Sequence, residues 1–140
     1  MMKKSIKEIQ DELIIEFSEF DDWVDKYTLI MSYSAELEKM LYEYKTDDIL
    51  FKDCASKVWI LIECKDNKVC FFADSDSMII RGILAILQKI LNDQDATEVV
   101  DGDIFFMKEI GMELNMPIER SKGIKSIIAY IKNEAREQCF

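Results

Sequence analysis

Val58-Trp59-Ile60-Leu61-Ile62-Glu63-Cys64-Lys65-Asp66-Asn67-Lys68-Val69-Cys70-Phe71-Phe72-Ala73-Asp74 is the stretch that decides the fold. It is rich in β-branched and aromatic residues and is interrupted once, by the turn-forming pair Asp66-Asn67, so it reads as a β-hairpin over about 58–74. With the turn placed there, Val58, Ile60, Ile62 and Cys64 share a face with Val69, Phe71 and Ala73. That face is apolar throughout and belongs against the core. The opposite face carries Trp59, Leu61, Glu63, Cys70, Phe72 and Asp74. Cys64 and Cys70 therefore point to opposite sides, which argues against a disulfide between them.

Outward from the hairpin the period changes from two to about three and a half. Downstream, Ser75 or Asp76 can cap a helix over 77–91 whose apolar residues cover most of its circumference, so it is expected to be buried on more than one side. Thr97, Glu98 and Asp101 fit a short capped helix, and 103–109 another that Gly111 stops. A last helix over about 121–138 places Ile124, Ile127, Ile128, Ile131 and Ala135 on one stripe. Upstream, Ile6, Ile9, Leu13, Phe17 and Phe20 recur at helical spacing. Asp21 or Asp22 can cap a second helix with Trp23, Tyr27, Ile30 and Leu37 on one face. Residues 39–57 follow no clean period and read as a long connection ending near Cys54, the kind of segment that often carries function. Helices around a small antiparallel sheet make the class α+β.

Composition narrows the function. The 140 residues suit one domain with a single core, and an apolar share of 49% is enough to build it. Eighteen basic against 28 acidic side chains leave a formal charge of −10, which speaks against nucleic acid or an anionic membrane as partner. With no histidine, Ser-His-Asp and Cys-His catalysis and His-ligated metal sites are excluded. Four glycines and one proline leave little room for linkers or a glycine-rich phosphate loop. The polar N-terminus and broken apolar runs give no signal peptide or membrane span. A cytoplasmic chain with reduced thiols is the simplest expectation.

The thiols at 54, 64, 70 and 139 contain no Cys-x-x-Cys pair. Cys64 and Cys70 lie in strand patterns and Cys139 at the chain end. Cys54 stands where the long connection meets the first clear strand, between Lys52 and Lys57. Those cations favour a thiolate and Asp53 opposes it. By position alone, Cys54 is either a small residue packed in a loop or a reactive thiol. Glu16, Glu19, Asp21, Asp22 and Asp25 read as a solvated acidic face or a dock for a basic partner. Asp74 and Asp76 read as helix-capping carboxylates, and Met112 and Met116 as core.

Six short runs then share one pattern. Lys52-Asp53-Cys54-Ala55-Ser56-Lys57-Val58-Trp59 resembles the active-site motif of the SufE family, Gly-Cys-x-Ser-x-Val-Trp leading into a strand. Ala73-Asp74-Ser75-Asp76 is similar to the family's Ala/Gly-Asp-Ser-Asp turn, Arg81-Gly82 to its basic-Gly pair, and Arg120-Ser121-Lys122-Gly123 to its Arg-Ser-Asn-Gly element. Asp22-Trp23 and Tyr44-Lys45-Thr46 match in the same order, so the resemblance spans about residues 6–132. It implies a single SufE-like domain over 1–140, with a fold similar to the IscU-type scaffold. It also implies a sulfur acceptor that takes persulfide sulfur onto Cys54 from a pyridoxal-phosphate cysteine desulfurase (SufS-like or CsdA-like), stimulates that enzyme, and passes sulfur to an iron–sulfur scaffold (SufB-like).

Such a protein is an accessory rather than a stand-alone enzyme and needs no cofactor or metal of its own, the pyridoxal phosphate belonging to the partner. Asp53, Ser56, Asp74 and Arg120 are the supporting or docking candidates. Cys54 is expected to rest against the apolar surface near Trp59 and to swing out on docking. The alternative is a binding module that activates a desulfurase without carrying sulfur. Departures from the family pattern are Asp53 for the usual Gly, Ala55 and Lys57 for Gln, Ile49 for Asn, and Pro117-Ile118-Glu119 for Ser-Pro-Thr.

Overall fold

The computed structural model describes residues 3–52 and 56–140. Four antiparallel strands lie in chain order in one sheet: β1 (Leu50–Phe51), β2 (Val58–Lys65), β3 (Lys68–Ser75) and β4 (Gln94–Asp95). Ile60 pairs with Ala73, Ile62 with Phe71 and Cys64 with Val69, the register expected from the alternation. Asp66 and Asn67 both take positive φ, 53° and 63°, the left-handed pair whose twist matches that of the flanking strands. Val58, Ile60, Ile62, Val69, Phe71 and Ala73 are buried on the inner face. On the outer face Trp59, Leu61, Cys70 and Phe72 are half-buried.

Among the described residues six helices pack with this sheet: α1 (Ile6–Ser18), α2 (Trp23–Ser32), α3 (Met78–Leu91), α4 (Ala96–Asp101), α5 (Phe106–Glu109) and α6 (Ile118–Cys139). Ser5 opens α1 with a capping box shared with Glu8, and Asp22 caps α2 through Val24 N–H. Burial on nearly every side of α3 follows from its place between the sheet and the pair α1–α2. Gly82 lets α3 cross α2 closely: a Cβ there would overlap the Ile30 carbonyl oxygen and lie 2.7 Å from its carbon. The buried Gln10 amide donates to Asp103 O (3.0 Å) and accepts from Phe105 and Phe106 N–H (2.9 and 3.1 Å), which ties α1 to the start of α5.

Several boundaries differ from expectation. α1 ends at Ser18, so Phe20 lies beyond it. α2 ends at Ser32 and passes into a 3₁₀ turn (Tyr33–Glu36), which leaves Leu37 buried but outside the helix. Ser77, not Ser75 or Asp76, caps α3: Ser75 is still paired with Val58, and the Asp76 carboxylate is engaged elsewhere. α5 starts at Phe106 rather than at 103, where Asp103 O and Phe105 N–H bond to the Gln10 side chain instead. Gly111, at φ 80°, turns the chain into a further 3₁₀ turn (Met112–Asn115). α6 begins three residues before Ser121, directly after Pro117. The 39–57 connection holds two 3₁₀ turns (Tyr42–Tyr44 and Asp47–Ile49) and β1.

Reduced thiols were expected throughout, and for two of the four this is corrected: Cys64 and Cys139 are joined in a disulfide with Cα atoms 5.5 Å apart, while Cys70 is free. α6 runs along β2 to the hairpin's turn end, which brings residues 75 apart in sequence together. Among the described residues, no helix is long and apolar enough to cross a membrane.

Candidate functional site

The open end of the hairpin is built from four short segments. Phe51 pairs with Val58 and Leu50 with Trp59, so the chain leaves β1 and enters β2 at neighbouring positions. Asp53, Cys54 and Ala55 fall between these anchors, outside the described residues. On the other side of β2, the Asp76 carboxylate accepts from Lys57 N–H (3.0 Å) and Asp76 N–H donates to Lys57 O (3.2 Å). These bonds close the hairpin two residues after Asp74. Capping was the expected work of Asp76; it fastens the hairpin mouth instead.

Asp74 does not cap α3 either. It sits opposite Trp59 on the outer face and is 2% exposed. A buried carboxylate needs charge partners and hydrogen-bond donors, and this one has three. Lys45, from the long connection, pairs with Oδ2 at 2.9 Å. Arg81, one turn into α3, pairs with Oδ1 and also donates to Ser34 O at 3.2 Å. Ser75 N–H donates to Oδ1 at 2.8 Å. The Lys45 ammonium stands 5.1 Å from the centroid of the Trp59 ring. Two cations thus flank the Asp74 carboxylate beside Trp59, and the Asp76 carboxylate stands at the same mouth.

Farther along the outer face, a groove of about 340 Å³ opens between the long connection and the strands, lined by Met40, Leu41, Tyr44, Leu61, Glu63 and Phe72. Leu61 follows Trp59 on the same face of β2, so the groove continues the surface that Trp59 begins.

The other candidates are more scattered. Ser56 is half-buried in the bend before β2. Arg120 is half-buried in the first turn of α6 and makes no ion pair among the described residues. The Phe51–Tyr130 ring contact and the Cys64–Cys139 bond set the direction of α6 along β2. Arg120 precedes Tyr130 by ten residues, about 15 Å of helix, and among the described residues no hydrogen bond or ion pair joins it to Asp74. Glu16, Glu19, Asp21, Asp22 and Asp25 are all exposed, with Glu16 accepting from the Tyr33 hydroxyl and Asp22 capping α2. Met112 is buried and Met116 partly so, both against the core as expected.

Sequence reasoning missed Lys45 and Arg81 as site residues. The signal was present: an acid on a half-covered strand face, with lysine and arginine in two of the other matched runs, asks to be neutralised by them.

Fold and described site define an α+β domain with an antiparallel hairpin and a buried ion cluster at the hairpin's mouth. The chain belongs to the SufE family: the model of the SufE Fe-S metabolism associated domain matches residues 11–135. An uncharacterized SufE-like protein of Rhizobium etli is 30% identical over 131 residues, covering 90% of this chain and 88% of the relative. The cysteine desulfuration protein SufE of Wigglesworthia glossinidia brevipalpis is 28% identical over 137 residues, covering 96% and 94%. The solution structure of a hypothetical protein from Thermus thermophilus shares the fold, with a TM-score of 0.74 at 12% identity over 93% of this chain and 95% of that one.

Proposed function

We propose that this chain is a sulfur acceptor in iron–sulfur metabolism and that Cys54 is the carrying thiol. The observation that carries the reading is the placement of the anchors of the Cys54 segment, Phe51 and Val58, at the mouth held by Lys45, Asp74 and Arg81. Membership of a family that includes a cysteine desulfuration protein supports it.

The chemistry is an exchange at sulfur. The Cys54 thiolate attacks the terminal sulfur of a cysteine persulfide on a cysteine desulfurase. A new S–S bond forms on Cys54, the old one breaks, and the enzyme's cysteine leaves as a thiolate. Attack by an acceptor thiol on an iron–sulfur scaffold then repeats the exchange in the other direction. Neither step needs a metal, a histidine or a cofactor on this chain; the pyridoxal phosphate works upstream, on the desulfurase. A thiolate and a persulfide anion are both favoured by nearby positive charge. Lys45 and Arg81, with Lys52 and Lys57 flanking the segment, offer that charge, against Asp74, Asp76 and Asp53. Trp59 and the groove beyond it offer apolar cover for a persulfide that must be kept from solvent. Ser56 and Arg120 are the remaining positions for shaping the segment and for docking.

The test is sulfide release by a cysteine desulfurase supplied with cysteine and a thiol reductant. Wild-type protein is expected to raise the rate and Cys54→Ala to leave it at the basal level. Equal stimulation by both proteins would overturn the carrier reading in favour of a module that activates its partner without taking sulfur.

A further inference from the structure

The second sulfur centre lies at the opposite end of the hairpin. Cys64 is next to the last residue of β2, on its inner face, opposite Val69, and Cys139 is the last residue of α6. Their Cα separation of 5.5 Å falls within the range a native disulfide spans. From Lys57, at the mouth, to Cys64 is about seven strand residues, roughly 23 Å, so this pair and the Cys54 segment occupy different ends of the molecule. Cys70, opposite Glu63 on the outer face, points away from both partners.

The last turn of α6 is held by little else. Ala135 is the last fully buried residue of the helix; Arg136, Glu137 and Gln138 are exposed, and Phe140 is 71% exposed. Cys139 is the one side chain of that turn packed against the core. Both bonded cysteines are half-buried rather than enclosed in the core. With three of its side chains exposed and one packed on the core, this turn lies at the easily opened end of the stability range.

We propose that Cys64 and Cys139 are a reversible redox-modification site, distinct from Cys54, that fastens the C-terminal turn of α6 to the hairpin. The oxidant is a low-molecular-weight disulfide. The Cys64 and Cys139 thiols give up their two hydrogens and form one S–S bond; the reagent's S–S bond breaks and its sulfurs leave as two thiols. A small thiol in excess runs the reaction backwards. The oxidised form locks the turn and the reduced form frees it, while Cys54 and Cys70 stay reduced.

The full chain is equilibrated in mixtures of reduced and oxidised glutathione, quenched in acid, alkylated and mapped by peptide mass. Amide exchange of residues 136–140 is followed in the same mixtures. Two thiols are expected to disappear together, at Cys64 and Cys139, and to return on adding dithiothreitol. Exchange of the last turn should slow by about tenfold or more on oxidation, as expected for a turn that opens locally. Cys139→Ser, a change in the final turn, should abolish both effects, and Cys64→Ala should match it. A bond from either cysteine to Cys54 or Cys70, glutathione adducts without an internal bond, or exchange indifferent to the redox mixture would each overturn the proposal.

Discussion

Replacing Gly82 with alanine sets two known effects against each other. In an exposed helix interior, Gly→Ala stabilises by about 1 kcal/mol. At Gly82 the new methyl group would overlap the Ile30 carbonyl oxygen and lie 2.7 Å from the carbonyl carbon. Those atoms are backbone of α2 and cannot rotate away, so α2 and α3 must part. Ile30 and Ile83 are fully buried there, and separation loosens their packing. Overpacking of this kind costs about 1–3 kcal/mol and more against rigid neighbours. The steric cost therefore outweighs the propensity gain, and the expected net loss is about 1–3 kcal/mol. For a chain of this length that corresponds to a fall in Tm of roughly 3–10 °C. The displacement also carries Arg81 away from Asp74 and from Ser34, just past the end of α2. Thermal unfolding followed by circular dichroism, on wild type and Gly82→Ala under the same reducing buffer, reads the difference. An unchanged or raised Tm would refute the argument that Gly82 is required by the close crossing of the two helices.

Asp74→Asn leaves Lys45 and Arg81 without their shared anion; urea unfolding should show a loss of about 2–4 kcal/mol, toward the lower end because both cations retain some solvent contact. Burial, and secondarily the hydrogen bond to Glu16, raises the Tyr33 hydroxyl pKa well above that of a free tyrosine. The fold thus favours the neutral phenol, and that contribution is complete below about pH 10 and lost as pH rises further. Tyr33→Phe should flatten the alkaline fall in stability, measured as Tm between neutral and strongly alkaline buffers. A disulfide closing a loop of 75 residues restricts the unfolded chain by about 4–5 kcal/mol on the chain-entropy estimate, so adding reductant should lower Tm markedly in wild type and not in Cys139→Ser.

Much of the fold was legible because local pattern and final burial agree. The β-branched and aromatic runs on either side of the Asp66-Asn67 turn specified the hairpin, its register and its inner face, and all-round apolarity announced that α3 would be enclosed. The short elements left no such trace. β1 and β4 are two residues each, too short for a period, and exist only because β2 and β3 offer them edges. Helix starts were displaced by competition among neighbouring polar groups: Asp76 binds Lys57 N–H and so leaves capping of α3 to Ser77. The Cys64–Cys139 bond depends on how far α6 travels along β2, which no local reading supplies. For the site, the matched motif runs located Asp74, but not its burial or its partners, since Lys45, Asp74 and Arg81 come from three different elements. Cys54 was singled out by its place in the sequence and by the matched motif, and the structure adds the surroundings of the anchors on either side of it, Phe51 and Val58.

Intact mass tests the central claim most directly. Wild type and Cys54→Ala, each mixed with a cysteine desulfurase and cysteine and freed of reductant, are weighed side by side. The account predicts the mass of one added sulfur atom on the wild type alone, removed by dithiothreitol and mapped to the peptide containing Cys54. No adduct on either protein, or an equal adduct on both, would contradict it.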